Sequence, residues 1–470
     1  MRLKSIYFNQ FKIINGLIFL FTLIALILIN PLSLFRYDCR VYWALAHDFD
    51  MDGSFNLLSF HEPLRGYFFS LFLYPSYKIA QFYQVNEVIV CRLYIALCSS
   101  IIYVWGTPSL YKRFFNVNIL PFGHALLGLL MLVLWWEYLT IPLTDVFGLV
   151  LLLSSFALIG RKRLLNSVIS GMCLYAAINM RLVFIIAIPF LVFLMFLNPS
   201  NYLSKVKLIA LTILGFLMLG FPQYVINVAN FNSHSLFVPT EVSKETGGKN
   251  LYFMQLNWGL RMQKYETNIG NEYPIPEVRY LDSIGEELSI LNGNKDFESY
   301  TSYFEFVIAH PKIVITYIKH FFNGLDITTP KAYLIENIYS RSLFLKWFNF
   351  SAVFLGVLGL IYSIRRLNYY SLTLVFMLLS IIAVVLPTAI EVRFFLPLHF
   401  IIYFFMTYFL QKISNNEILF SKKKLGFTLL CYLCFVGVCM ERSTYMERNL
   451  EFKQVLFNKR ILKDSKQDAA

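Results

Sequence analysis

Long apolar runs separated by short polar stretches dominate the 470-residue chain. Eleven of these runs are long enough, or nearly long enough, to cross the hydrocarbon core of a bilayer. They lie at 12–34, 88–107, 119–138, 144–160, 164–180, 182–197, 207–229, 345–364, 370–387, 393–411 and 425–440. The pattern predicts an all-α membrane protein, a polytopic bundle of about 11 transmembrane helices.

For a further apolar run at 63–82, hydropathy alone does not show whether it crosses the membrane or lies along its surface. If it lies along the membrane surface, all the basic clusters between the other runs fall on one face of the membrane. These clusters are Arg2/Lys4, Lys112/Arg113, Arg161/Lys162/Arg163, Lys205/Lys207, Arg365/Arg366 and Lys422/Lys423/Lys424. We therefore predict a juxtamembrane helix at 63–82, with Pro75 interrupting any regular span, and an N-terminus in the cytoplasm.

This topology predicts four regions. An N-terminal transmembrane module at 1–229 contains a catalytic first extracytoplasmic loop at 35–87. A large extracytoplasmic loop subdomain follows at 230–344, then C-terminal transmembrane helices at 345–440 and a polar tail at 441–470. Within the large loop, apolar and polar residues alternate at helical spacing on both sides of Pro311, which predicts amphipathic helices resting on the bundle or on the lipid.

Composition supports a membrane location and excludes several functions. Hydrophobic residues make up 57% of the chain and charged residues 15%, outside the range of soluble domains. The net charge of +13 resides mostly in the clusters that set orientation, so we predict no nucleic-acid partner. Because phosphate-loop and dinucleotide-binding glycine motifs are missing from the sequence, we predict no nucleotide cofactor. Six of the seven cysteines lie in apolar runs, which argues against a disulfide framework.

The stretch RYDCRVYWALAHDFDMDG at 36–53 places aspartates directly behind the first apolar run. Asp38 is nearest the membrane edge, where a carboxylate in a poorly hydrated pocket would serve as a general base or bind a sugar hydroxyl. The alternative is a solvated residue that follows a helix end.

Three later aspartates match the start of a calcium loop. Asp48, Asp50 and Asp52 occupy positions 1, 3 and 5, and Gly53 follows at position 6, but Ser59 stands where a chelating Glu belongs. The spacing predicts a weak site for a divalent cation (Ca, Mn or Mg). The alternative is a solvated acidic loop.

Ionisable residues also stand at the ends of later apolar runs on the same predicted side: Glu137, Asp145, Arg181, Glu391 and Arg393. Charges at such depth usually face the bundle interior, so these side chains are expected to point into one cavity. The two guanidinium groups suit bidentate capture of phosphate oxygens. Mutual salt bridges that merely orient helices are the alternative.

The order of these features resembles the GT-C superfamily of integral-membrane glycosyltransferases, which includes protein O-mannosyltransferases and the aminoarabinose transferase. Asp38 in RYDCRVYWALA matches the acidic residue of the first loop, and HEPLRGYFFSLF is similar to the juxtamembrane helix. That stretch adds Glu62 and Arg65 as candidate substrate-binding residues. PLTDVFGLVLLLSSFALI, SGMCLYAAINMRLVF and EVRFFLPLHFIIYFF match later spans and supply Asp145, Arg181, Glu391 and Arg393. Cys39 departs from the pattern, because many relatives carry a second acid there.

The resemblance implies a polyprenyl-phosphate-linked sugar donor and inverting transfer to an envelope glycan or lipid acceptor. Asp38 would deprotonate the acceptor hydroxyl, Arg181 and Arg393 would bind the donor phosphate, and Asp145, Glu391, Glu62 and Arg65 would bind substrate. For a bacterial chain it implies an inner-membrane enzyme that faces the periplasm and decorates O-antigen or lipid A, with serotype-converting glucosyltransferases similar in size. An O-antigen polymerase and a lipid or solute transporter are the rivals, although the sequence lacks the similar halves typical of transporters.

Overall fold

The structure is a computed structural model. It describes residues 2–51, 53–159, 164–197, 202–243, 248–267, 277–281, 283–293, 295–333, 342–418 and 421–467.

Each predicted apolar run forms a helix. The helices are α1 (Arg2–Ile29), α4 (Glu87–Ile101), α5 (Thr107–Phe115), α6 (Pro121–Trp135), α7 (Thr144–Leu158), α8 (Leu164–Met180), α9 (Ala187–Leu197), α10 (Tyr202–Phe231), α15 (Leu343–Ser363), α16 (Tyr369–Val385), α17 (Leu396–Ser414) and α18 (Lys422–Gln467). A π-helical turn at Ile102–Gly106 joins α4 to α5. The predicted helical class is therefore confirmed.

Six helical segments within the described residues are long and apolar enough to cross a membrane: Gln10–Ile29, Glu87–Phe115, Leu203–Phe231, Leu343–Arg366, Val392–Ser414 and Lys422–Arg448. Five further apolar helices are shorter, 10–17 residues each, where a perpendicular span needs roughly 20 residues. The count of eleven spans therefore stays a prediction. The last helix also extends well beyond the predicted run at 425–440.

The first predicted loop is largely ordered into regular elements. It contains α2 (Tyr37–Asp48), a hairpin of β1 (Asp50–Met51) and β2 (Ser54–Phe55), a short 3-10 turn (Leu57–Ser59) and α3 (Tyr67–Tyr83). A helix does occupy the predicted juxtamembrane position. Pro75, however, lies inside α3 and does not interrupt it, which corrects the prediction. Proline costs a helix one backbone hydrogen bond, and the buried face of α3, including Phe69 and Leu73, compensates by packing.

The large loop forms a small subdomain with its own apolar core. It contains a 3-10 turn at Thr240–Val242, α11 (Leu251–Arg261), β3 (Met262–Thr267) paired antiparallel with β4 (Glu277–Leu281), α12 (Ser283–Leu291), α13 (Tyr300–Ala309) and α14 (Ile313–Leu325). α13 and α14 are amphipathic on either side of Pro311, as predicted. Tyr303 and Ile313 are buried in the subdomain core, whereas Ile308 and Ile318 are exposed.

The two ends of the helical bundle differ in their charged residues. At one end, Arg113 donates a hydrogen bond to the carbonyl oxygen of Ile159 (3.0 Å). At the opposite end, the predicted carboxylates and guanidinium groups meet around Asp38. Glu447 in α18 forms an ion pair with Lys346 at the start of α15, which places this part of α18 beside the large loop. The beginning of the tail therefore lies at the same end as the large loop.

Candidate active site

A cavity of about 570 Å³ opens at the acidic end of the bundle, between the first loop, the junctions α6–α7, α8–α9 and α16–α17, and the large-loop subdomain. Six of the residues predicted from sequence line it: Asp38, Arg65, Asp145, Arg181, Glu391 and Arg393. These are all the charged side chains that line this cavity within the described chain. Four of the five charges predicted at span ends line this cavity, whereas Glu137 lies in a smaller pocket beside Cys39 and accepts a hydrogen bond from the backbone amide of Ala332.

Asp38 lies in the first turn of α2, where each oxygen of its carboxylate contacts a different guanidinium group. Arg65 Nη2 donates to Oδ1 at 2.7 Å, and Arg393 Nη2 donates to Oδ2 at 2.9 Å. Burial opposes ionisation of Asp38, but the two arginines outweigh it and lower the pKa from 3.8 to about 2. Asp38 is therefore ionised at neutral pH and, while it keeps both partners, is a weak base.

The backbone entering α2 is unusual. Tyr37, directly before Asp38, has a φ of 46°, a left-handed conformation that is uncommon for a bulky residue. Its ring packs against Tyr333 with centroids 5.8 Å apart. Tyr333 in turn donates a hydrogen bond to Cys39 Sγ (3.4 Å). These contacts fix the first turn of α2, and therefore Asp38, against a segment of the large loop.

Arg393 links Asp38 to a second carboxylate. It lies in the 3-10 turn Val392–Phe395 that leads into α17, and its Nε and Nη2 contact the carboxylate oxygens of Glu391 at 2.6 and 3.2 Å. One guanidinium group is therefore shared between two acids. This arrangement is charge-assisted on both sides and holds Arg393 at the wall of the cavity.

Arg181 forms a separate ion pair with Asp145. Arg181 stands at the break between α8 and the 3-10 turn Leu182–Ile186, and Asp145 lies in the first turn of α7, where the helix dipole favours a negative charge. The guanidinium carbons of Arg181 and Arg393 lie 4.9 and 5.5 Å from the centre of the Phe394 ring. The two arginines predicted to bind phosphate therefore flank one aromatic side chain.

Other predicted site residues lie elsewhere. Glu62 does not line the cavity and instead accepts a hydrogen bond from a backbone amide two residues on (2.8 Å). Asp48 ends α2, and Asp50 forms an ion pair with Lys78 (2.9 Å). Asp52 lies outside the described residues. Among the residues that are described, no three His, Cys, Asp or Glu side chains gather as a metal site would require, so the cation hypothesis stays a prediction.

Sequence reasoning missed one wall of the cavity. Residues from the large loop form it: Asn250, Tyr252, Gln255, Trp258 and Tyr265. The signal in the sequence is faint, an amphipathic stretch rich in aromatic and amide side chains. Nothing in that pattern indicates that α11 would face the charged cluster.

Comparisons with known proteins add one neighbour. Neither a family model nor a curated protein matches the chain. Among solved structures, the chain is similar to the archaeal oligosaccharyltransferase AglB from Archaeoglobus fulgidus, solved in complex with an inhibitory peptide and a dolichol-phosphate. The likeness has 13% sequence identity and a TM-score of 0.45, and it covers 95% of this chain and 56% of that one. The chain thus spans about half the length of AglB. The peptide and lipid are ligands of AglB.

Proposed function

We propose that the chain is an integral-membrane glycosyltransferase that moves a sugar from a polyprenyl-phosphate donor to an envelope glycan or lipid acceptor. The observation that carries the proposal is the carboxylate of Asp38, which lies between Arg65 and Arg393 in a large cavity at one end of an apolar helical bundle. A carboxylate serves proton transfer, and guanidinium groups serve phosphate oxygens. The carboxylate of Asp38 is within contact distance of both guanidinium groups.

The reaction is a single displacement. Asp38 accepts the proton of the acceptor hydroxyl while the hydroxyl oxygen forms a bond to the anomeric carbon of the donor sugar. The bond between that carbon and the phosphate oxygen breaks, and its electron pair leaves with the polyprenyl phosphate. Fixed positive charge close to the departing phosphate lowers the energy of the transition state, most of all where water is scarce. Attack opposite the leaving group inverts the anomeric centre.

The ion pairs around Asp38 couple donor binding to basicity. As long as Arg65 and Arg393 both contact Asp38, its pKa of about 2 disfavours proton abstraction. A donor phosphate competes with the carboxylate for these guanidinium groups. Each arginine that turns to the phosphate leaves Asp38 with less positive charge beside it and a higher pKa. The base is then strongest when the donor is in place.

The cavity also offers an apolar face for a lipid chain. The turn that follows Arg181 is Leu182–Ile186, and all its residues except Phe184 line the cavity. The side chain of Ile185 is 37% exposed. A donor whose phosphate contacts Arg181 can therefore place the first part of its prenyl chain along this turn. That arrangement matches the chemistry of an amphipathic donor.

We place the protein in a bacterial inner membrane with the cavity facing the periplasm. Supporting this orientation, Lys112 and Arg113 stand at the end of the 29-residue helical segment Glu87–Phe115, and the other end of that segment contacts the first loop through a hydrogen bond from Trp43 Nε1 to Glu87 (3.2 Å). Basic residues favour the cytoplasmic side of a membrane. An O-antigen repeat or lipid A is the acceptor that this location would offer.

The direct test is transfer by the purified protein in lipid nanodiscs. Undecaprenyl-phosphate hexoses serve as donors, and a lipopolysaccharide preparation serves as acceptor. Asp38→Asn is expected to reduce turnover by roughly 10²–10⁴-fold without unfolding the protein, because it removes the base. Asp296→Asn, at a partly exposed ion pair with Arg261 outside the cavity, is the matched control. Full turnover by Asp38→Asn would refute the assignment. In cells that lack the protein, the loss of one sugar from each glycan repeat would fit a transferase, whereas shortened glycan chains would identify a polymerase.

A further inference from the structure

The wall of the cavity that α11 forms presents an unusual pair of side chains. Gln255 and Trp258 are three positions apart on α11, so they occupy neighbouring places on one helix face, and both line the cavity. The Trp258 side chain is 38% exposed. Neither side chain has a hydrogen bond or ring contact within the described chain. A large aromatic face and a free amide therefore stand open to the same space.

This wall is held rigidly against the bundle. Gly259 on α11 lies so close to the chain at Pro387 that a side chain there would overlap the carbonyl oxygen of Pro387. The backbone amide of Ala389 donates to the carbonyl oxygen of Gln255 (3.3 Å). Both contacts fall just before Glu391, at the start of the charged cluster. The position of α11 relative to the arginines is thus set by backbone contacts, as a built binding site requires.

The two side chains fit the chemistry of a pyranose ring. The C–H groups on one face of a pyranose carry partial positive charge, and the face of an indole ring carries negative charge, so the two stack favourably. A primary amide offers both a donor and an acceptor to sugar hydroxyls. An open indole beside a free amide is therefore suited to a carbohydrate, whose surface is also part apolar and part hydroxyl.

The charge balance of the cavity limits the types of sugar that it can bind. All six charged lining residues are engaged in ion pairs with each other: Asp38 with Arg65 and Arg393, Glu391 with Arg393, and Asp145 with Arg181. Gln255 and Trp258 are uncharged, as are the other lining residues of the large loop. A charged sugar would find no spare counter-charge on this wall, and removing its charge from water is costly. A neutral sugar meets no such penalty.

We infer that Gln255 and Trp258 form a subsite for a neutral pyranose, with the indole stacked on the ring and the amide bound to its hydroxyls. The inference rests on the proposed function, since the pyranose belongs to either the donor or the acceptor of the transfer. It adds the residues that recognise the sugar and the class of sugar they select.

Binding can be measured without turnover. Saturation-transfer NMR of the protein in nanodiscs, with methyl glucopyranoside, methyl galactopyranoside, methyl glucuronide and glucosamine as probes, reports contact and relative affinity. We expect the neutral glycosides to bind in preference to the charged probes. Trp258→Ala should weaken their binding roughly five- to tenfold, and Gln255→Leu should weaken it less. Trp105→Ala removes an exposed tryptophan outside the cavity and should leave binding unchanged. Equal binding by the parent and Trp258→Ala, or a preference for a charged probe, overturns the subsite.

Kinetics distinguish the source of the sugar. A rise in KM for the undecaprenyl-phosphate hexose on Trp258→Ala assigns the subsite to the donor, and a rise in KM for the acceptor glycan assigns it to the acceptor. The two proposals also fail separately. A parent protein that binds neutral glycosides through Trp258 but transfers no sugar overturns the transferase and leaves the subsite. Unchanged transfer kinetics in Trp258→Ala overturn the subsite alone, and Trp258→Phe should retain most of the binding if stacking is the cause.

Discussion

Replacing Arg65 with glutamine tests whether the two arginines control the carboxylate of Asp38. Arg65 supplies the 2.7 Å contact to Oδ1, and the variant leaves Arg393 on Oδ2. Glutamine keeps a polar amide on a shorter side chain and removes the charge. The substitution therefore removes the positive charge of one guanidinium group together with its contact to Oδ1.

The size of the effect follows from the pKa of Asp38. Its ordinary value of 3.8 and its value of about 2 in the folded protein differ by an amount worth about 2.5 kcal/mol. Because the folded-state pKa is depressed, this stability is present above the unfolded pKa and is lost as the pH falls through about 2. Burial alone would raise the pKa, so losing one of the two opposing charges should lift it by roughly one to two pH units. The free energy of unfolding at neutral pH should fall by about 1–3 kcal/mol.

Infrared titration measures this pKa without any substrate. The difference between the spectra of the parent and Asp38→Asn isolates the carboxylate band of Asp38, which is followed from neutral pH down through about pH 2. Arg65→Gln should move the midpoint upward. Arg261→Gln, which removes the partner of Asp296 at 3.3 Å outside the cavity, should not. An unchanged midpoint in Arg65→Gln would refute the view that the arginines set the basicity of Asp38.

Three further predictions concern separate parts of the site. Arg393→Lys removes the forked guanidinium and should weaken binding of undecaprenyl phosphate about tenfold, measured by calorimetry; unaltered affinity would leave Arg393 as a structural ion pair. Gly259→Ala should lower stability by about 1–3 kcal/mol in denaturant unfolding, because the new methyl group displaces the chain at Pro387; a stability equal to that of the parent would contradict the close packing of α11. Lys346→Met should cost about 3–5 kcal/mol because the buried acid Glu447 loses its counter-charge, and adding Glu447→Leu should restore most of the loss; an additive double variant would show that the pair is not coupled.

The helical bundle was predictable because its signal is local. A run of apolar residues long enough for a bilayer leaves the backbone no partner except itself, so each run becomes a helix. α2 was missed because its charged residues dominate the hydropathy of the stretch. A helical signal was nevertheless present, since Cys39, Tyr42, Trp43 and Ala46 are spaced to form one buried face. Short amphipathic helices in loops need this periodicity test and not an average over a window.

The charged part of the site was predictable through topology. Asp38 and Arg393 are 355 positions apart, yet both stand where an apolar run meets the same predicted side. The individual ion pairs could not be predicted from the sequence, because they depend on side-chain distances that only the packed bundle sets. The wall of the cavity that α11 forms could not be predicted for a related reason. Gln255 and Trp258 face the cavity only because Gly259 allows α11 to lie against the chain at Pro387, a contact between segments more than a hundred residues apart.

The pairing of all the charged groups in the cavity has a consequence for substrate binding. Under the proposed function, an anionic phosphate that takes over the Nη2 contacts of Arg65 or Arg393 displaces Asp38, so part of its binding energy is spent on freeing the carboxylate. On that proposal, the affinity for a lipid phosphate would be lower than three arginines alone would give, and Asp38 would be released when the leaving group is in place. Under the proposed function, the mutual neutralisation of acids and arginines would therefore link the basicity of Asp38 to occupancy of the donor site.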